Sequence, residues 1–327
     1  MCIRDSGLAV LCGRCAPPEP APGPDDGGAS PPGGFPAVFH SDDDTVLRLE
    51  APPARVLPAN TSAVDMVTAL VPPDRVVALP DAAFEYSHLA VEPGPWAELP
   101  RLPRFLAEPV LGLAPDLVIT HSWHDAGTTR ILRAAGIPVM VLPEVRTFED
   151  VRRSFLLVGR LLGEEAASRA QVAELDRRLA ALQEAAAGRR ELVAVCYTNF
   201  STGGWTAGRE TTADILMGLA GLRNGAAEAG MVGNVEIHYE KLIDIDPDLF
   251  LVGNYSEAGG SGATAAFLRS EAPLADLTAV REGRIAVLPA HLISANSNRL
   301  IEAAEYLARE VERMFGSDVE EPEGRGE

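Results

Sequence analysis

The sequence predicts an α/β protein of two similar lobes, each a mostly parallel sheet layered between helices, joined by a single long helix. Three observations carry this expectation. The first is an internal repeat: Leu113-Ala-Pro-Asp-Leu-Val-Ile-Thr120 returns as Ile245-Asp-Pro-Asp-Leu-Phe-Leu-Val252. A glutamate, Glu108 and then Glu240, stands seven residues before each proline, and each copy leads to a later apolar run, Gly136 to Pro143 and Gly283 to Pro289. The second is the alternation of short, continuous apolar runs with helix-period segments, the pattern of parallel strands covered on both faces. The third is an Ala/Glu/Arg/Leu-rich stretch over 164–187, all strong helix formers, which spans about 36 Å as one helix. Two Rossmann-like lobes and one rod between them imply a cleft.

In chain order, Arg55 to Asn60 reads as a strand, and Thr61 or Ser62 caps a helix with Val64, Met66, Val67 and Leu70 on its apolar face. Pro72-Pro73-Asp74 stops it, and Arg75 to Leu79 is the next strand. The first repeat strand follows, then a helix over Thr128 to Ala135 and the strand after Gly136. Thr147 with Asp150 three residues on is a capping pair for a helix that runs to Gly163. Beyond the long helix, Glu191 to Asn199 opens the second lobe and a helix over Ser297 to Met314 closes it. The domain reading is therefore a leader and flexible tether over 1–50, a first lobe over 51–163, the interlobe helix over 164–187, a second lobe over 188–315, and a disordered acidic tail over 316–327.

Composition removes several functions. The formal net charge is -19 and the basic residues are scattered, which argues against nucleic acid. No apolar run reaches the roughly 18 residues of a membrane span. Met1 to Ser6 matches no targeting segment and reads as non-native. Gly7 to Leu11, a cysteine (Cys12 or Cys15) and a Pro/Gly-rich stretch together have the layout of a lipoprotein start, with Cys15 the lipidation candidate. Cys196, inside an apolar run, reads as a buried inert thiol. There is no phosphate loop, no nucleophile elbow, no His-Glu-x-x-His and no dinucleotide fingerprint, so an enzyme is the lesser expectation.

Candidate binding residues gather at strand C-termini, where open α/β sheets present ligand sites. Phe84 and Tyr86 follow the strand ending at Leu79; His121, Trp123 and His124 follow the first repeat strand. Trp205, Tyr255 and His291 follow strands of the second lobe. The chain has three Trp and five Tyr, so their concentration in these loops points to a cleft lined from both sides. His121 and His124 lie one helical turn apart and could share a transition metal with His238 or His291, which is the competing direct-metal reading. His40 falls in the tether and His88 in a loop, and neither is given a role.

Several motifs together resemble the periplasmic binding proteins for iron-siderophore, heme and cobalamin uptake. They are Pro58-Ala-Asn-Thr61, the run from Glu108 to Ile119, Ala135-Gly-Ile-Pro-Val139, Trp205-Thr-Ala-Gly208, Ala220 to Asn224, Tyr239 to Asp248 and Leu277 to Ile285. The resemblance covers about Arg55 to Phe315. It implies a non-enzymatic monomer, periplasmic or at the cell surface and peripheral to the membrane, that captures a cobalt or iron chelate. No covalent cofactor and no resident metal is expected. It further implies an ABC-transporter permease dimer as partner, docked through Glu108 and Glu240, and a cleft lined by Tyr86, His121, Trp123, His124, Trp205, Tyr255 and His291. Cobalamin is the first choice of cargo because of Pro58 to Thr61 and Trp205, with heme next because of the histidines.

Overall fold

The computed structural model describes residues 34–199, 204–255 and 263–316. The leader with Cys12 and Cys15, and all of the acidic tail but Gly316, lie outside the described residues. The expected tether is corrected at its distal end. Strands β1 (Ala37–His40) and β2 (Val46–Leu49) form an antiparallel hairpin. Its alternation buries Ala37, Phe39, Leu47 and Leu49 in the first-lobe core. Backbone bonding of Asp42 to Val141 fastens the hairpin to the lobe.

The first lobe continues with β3 (Val56–Pro58), α1 (Thr61–Thr68), β4 (Leu79–Pro80), α2 (Ala83–Tyr86), β5 (Arg101–Leu102), α3 (Ala107–Leu113), β6 (Leu117–His121), α4 (Ala126–Ala134) and β7 (Val139–Leu142). Its parallel sheet has the order β3-β6-β7. Asn60, rather than Thr61 or Ser62, caps α1: its Oδ1 accepts from the Ala63 amide. The expected strand over 75–79 shrinks to a bridge between Val56 and Val76, and β4 pairs with β5 in a separate ladder. Pro73 opens a short 3-10 turn to Arg75, which takes the first residue of that run out of the sheet.

Helix α5 (Phe148–Leu162) begins with the reciprocal Thr147/Asp150 capping box and ends at Gly163, φ 75°. Helix α6 (Glu165–Ala186) follows with 22 residues, about 33 Å long. A Cβ on Gly159 would stand 2.1 Å from Ser168 Oγ, so glycine is what lets α5 and α6 approach so closely.

The second lobe contains β8 (Leu192–Asn199), β9 (Gly204–Ala207), α7 (Thr212–Leu219), β10 (Leu222–Asn224), α8 (Gly225–Glu228), β11 (Asn234–Ile237), α9 (Tyr239–Ile245), β12 (Leu249–Asn254), α10 (Ala263–Ser270), α11 (Thr278–Arg281), β13 (Ile285–Pro289), α12 (Ala290–Ile293) and α13 (Leu300–Phe315). Its sheet runs β11-β9-β8-β12-β13, with β10 also on β8. The core is parallel and the β9 and β11 edge is antiparallel.

The sequence repeat is a structural repeat. Helices α3 and α9 each have seven residues, with Glu108 and Glu240 in second position. Each ends on a left-handed residue, Ala114 (φ 45°) or Asp246 (φ 39°), before the Pro-Asp turn. Each turn aspartate then pins the neighbouring strand. Asp116 accepts from the Ala54 and Arg55 amides at 2.8 Å, and Asp248 from the Val193 amide at 2.8 Å.

The lobes are joined chiefly by a helix and by a buried carboxylate, with an exposed ion pair besides. Helix α6 is held to the first lobe by Gln171, which donates to the Ala69 carbonyl, and by the Arg152–Asp176 pair. Toward its other end Leu175 and Leu182 enter the second-lobe core and Arg178 forks onto Glu305 of α13. The second joint is Asp65 of α1, 2% exposed. It takes the His88 ring Nδ1 at 2.7 Å on one oxygen and, across the lobes, Ser297 Oγ at 2.8 Å on the other. Asp65→Ala leaves the buried Ser297 hydroxyl and the half-buried His88 ring without their acceptor, and a loss of about 2–4 kcal/mol in chemical denaturation is expected. Unchanged stability would show the clasp to be incidental.

Candidate functional site

One cleft of about 940 Å³ lies between the lobes and draws its walls from both. Its aromatic lining begins where β6 ends. A turn from His121 to His124 places Trp123 outward, 63% exposed and stacked on His121 at 5.8 Å, and in an edge-type contact with His124 at 4.6 Å. Phe105 backs His124 at 5.1 Å. From the second lobe come Trp205 on β9 and Tyr255 just past β12. Tyr255 meets Tyr86 of α2 across the cleft, ring centroids 6.4 Å apart.

Six of the seven expected residues therefore line one space: Tyr86, His121, Trp123, His124, Trp205 and Tyr255. The seventh, His291, does not. Strand β13 ends at Pro289, and α12 carries His291 away from the lining, where burial, with smaller effects of nearby groups, lowers its pKa. Phe84 is outside the lining as well, with Arg101 stacked over its ring. Trp96 is buried in the first-lobe core.

His121 and His124 are committed inside the protein. His121 is 2% exposed, with Nε2 at 2.9 Å from Ser62 Oγ and a further bond to the Leu142 carbonyl. Burial, then the neighbouring His124, pushes its pKa down to about 4. His124 holds Thr120 Oγ1 through Nδ1 at 2.6 Å, and its pKa is also lowered by burial. His238 is exposed and does not line the cleft. Among the described residues no three His, Cys, Asp or Glu side chains converge as metal ligands, so the direct-metal reading gains no geometry. Cys196 lines the cleft as a buried thiol whose pKa burial pushes up to about 12.

Sequence reasoning missed the charged and hydrogen-bonding groups of the cleft. Arg146 reaches Glu144 at 2.9 Å and, from the other lobe, Glu210 at 3.6 Å. The remaining polar lining is neutral, with Asn60, Thr61, Thr198, Thr211, Asn234, Ser294 and Asn296 among it. Asn60 and Thr61 fall in the quoted motif Pro58 to Thr61, whereas nothing in the sequence marks the other positions, and the φ of 64° at Glu210 is visible only in the fold.

Two α/β lobes, clasped by a buried carboxylate around one aromatic cleft, define a solute-binding protein. The family profile described as periplasmic binding protein matches residues 95–292, and the chain belongs to that family. Its members are transport components rather than enzymes. The chain is 27% identical over 92% of its length, and 80% of the relative's, to a protein named cobalamin-binding protein in Halobacterium salinarum. It is 24% identical to the ABC transporter substrate-binding lipoprotein YvrC of Bacillus subtilis, over 62% of this chain and 64% of that one. The periplasmic heme-binding protein RhuT of Roseiflexus sp. RS-1 has the same fold, with TM-score 0.70 and 24% identity over 80% of this chain and 98% of that one. No helix among the described residues is long and apolar enough to cross a membrane.

A folded-state pKa near 4 for His121, below the ordinary 6.5, means that the fold keeps the ring neutral. Its contribution is complete above pH 6.5 and is lost as pH falls from 6.5 toward 4, because the unfolded chain takes the proton first. The full linkage is about 3 kcal/mol. His121→Gln is expected to flatten the stability–pH profile in that window, read by urea denaturation at stepped pH; an unaltered profile overturns the assignment.

Proposed function

We propose that the cleft captures an intact corrinoid of the cobalamin type for delivery to an ABC-importer permease. The observation that carries this reading is the charge arrangement. Among the described residues Arg146 is the one arginine in the lining, and Glu144 and Glu210 already flank it from both lobes. A porphyrin with propionates, or a catecholate siderophore, needs spare cations; this cleft adds two carboxylates to one guanidinium. A corrin ring edged with neutral amides asks instead for aromatic walls and hydroxyl or amide partners, which Trp123, Trp205 and the threonines and asparagines supply. The volume is at the upper end of the roughly 300–1,000 Å³ of small-molecule sites, in keeping with a bulky ligand. The cobalamin-binding relative supports the same cargo.

His121 is not offered as a cobalt ligand, because Ser62 and Leu142 occupy its ring. Export to the periplasm or cell surface, with anchoring through Cys15, belongs to the same reading and rests on the leader's layout and the lipoprotein relative. So does docking through Glu108 and Glu240. Both are exposed in the first turn of equivalent helices, one per lobe, and a two-subunit partner can read them alike.

Two measurements test this. Cyanocobalamin is expected to quench tryptophan fluorescence on titration, and Trp205→Ala to weaken binding by about 1–3 kcal/mol; heme binding with no response to corrinoids overturns the cargo. Charge reversal at both Glu108 and Glu240 is expected to abolish uptake by the cognate permease while affinity stays within about threefold, since exposed docking charges act on orientation and encounter. Loss of ligand binding instead would move the two glutamates out of a docking role.

A further inference from the structure

An apolar side chain exposed singly on a protein surface needs no explanation. Two on this chain do, because they occupy the same position of the repeated helix. Leu111 is fifth of seven residues in α3 and 38% exposed; Ile243 is fifth of seven in α9 and 50% exposed. Each stands three residues after the exposed glutamate, Glu108 or Glu240, so carboxylate and apolar side chain are neighbours on one exposed helix face. The inward face is anchored in both lobes: Val110 and Leu242, fourth in their helices, are fully buried in core clusters. Among the described residues neither glutamate has a basic partner.

Chain direction brings both pairs toward the cleft side. Helix α3 links β5 to β6 and α9 links β11 to β12, and within each lobe the linked strands run the same way. Each helix therefore runs back against its strands and starts where strands end, the side from which His121 and Tyr255 reach the cleft. We propose that Glu108 with Leu111, and Glu240 with Ile243, are two equivalent docking points for the two subunits of a permease dimer. Each subunit would offer a shallow apolar pocket edged by a Lys or Arg. The proposal rests on the docking role of the glutamates, not on the identity of the cargo, and adds the apolar half of the contact. A pair repeated once per lobe fits a twofold partner, which presents one surface twice. The two halves act on different steps: the charges speed encounter, and the apolar contact, dried on docking, slows departure.

The test follows binding of the full chain, without cargo, to the cognate permease–ATPase complex in nanodiscs, by biolayer interferometry at low and high salt. Leu111→Ser and Ile243→Ser are each expected to speed dissociation about fivefold, and about twenty-fivefold together, with the association rate and its salt dependence unchanged. Glu108→Gln with Glu240→Gln is expected to do the converse, slowing association and flattening its salt dependence. Leu111→Met keeps the apolar volume and is expected to dissociate as wild type does. Both apolar residues are exposed, so the serine variants are expected to melt within a few degrees of wild type. Should they melt lower, Leu111→Lys with Ile243→Lys keeps helix propensity and is expected to abolish binding. Unchanged dissociation of the serine pair, or binding by the lysine pair, with the glutamine pair impaired, overturns the apolar contact and leaves the glutamate docking standing. Failure of wild type to bind the permease, or no effect of any double variant, removes both. A wild-type dimer in sedimentation that the serine pair turns into a monomer assigns the face to a second copy of this chain and overturns the proposal.

Discussion

Asp65 is a carboxylate almost out of reach of water, and the arrangement of the two lobes depends on how its two oxygens are satisfied. A buried carboxylate without partners is among the costlier things a fold can hold, so the groups that reach it are constrained in turn. Asp65 takes one partner from the short helix after α2, His88, and one from the start of α13, Ser297. These bonds draw α12 against α2, and the cleft floor is built where they meet, with Tyr86 and Tyr255 facing each other above. Helix α6 fixes the same relation from outside, held to α1 and α5 toward one end and to α13 and the second-lobe core toward the other. Rod and clasp are independent constraints, and together they leave the lobes little room to swing.

The cleft makes sense as the space those constraints enclose. The aromatic lining comes from strand ends that the parallel sheets deliver to one side of each lobe. Among the described residues the polar lining is nearly all neutral, and its only guanidinium is shared by a carboxylate of each lobe. Arg146 then acts as a third link between the lobes at the mouth, exposed and therefore weak beside Asp65. Recognition in such a site falls to shape, ring contact and hydrogen-bond complementarity rather than to net charge.

The architecture was largely legible in the sequence because its signals are local. The Pro-Asp repeat, the Thr147/Asp150 box and the Ala-rich rod each announce themselves within a few residues, and each has its expected geometry. The β1–β2 hairpin was not read, since two four-residue strands around an Asp-rich turn look like the Pro/Gly stretch before them. The strand after Arg75 was overread because an apolar run satisfies either a strand or a buried coil. The aromatic lining was read from a composition bias, whereas the clasp could not be. Asp65, His88 and Ser297 are separated by 23 and 232 residues, and no spacing rule connects them. His291 was misplaced for the same reason: its strand ends beside the cleft, but the helix after it turns toward the clasp.

The clasp also bears on traffic at the membrane. Glu108 and Glu240 ride on helices of opposite lobes, so their separation is fixed by the same contacts that fix the lobes. On the docking role proposed for the two glutamates, a spacing set by the clasp is common to empty and loaded molecules, and a permease that reads only that spacing admits both. Empty molecules would then compete with loaded ones, and flux would follow the loaded fraction of the pool rather than its size.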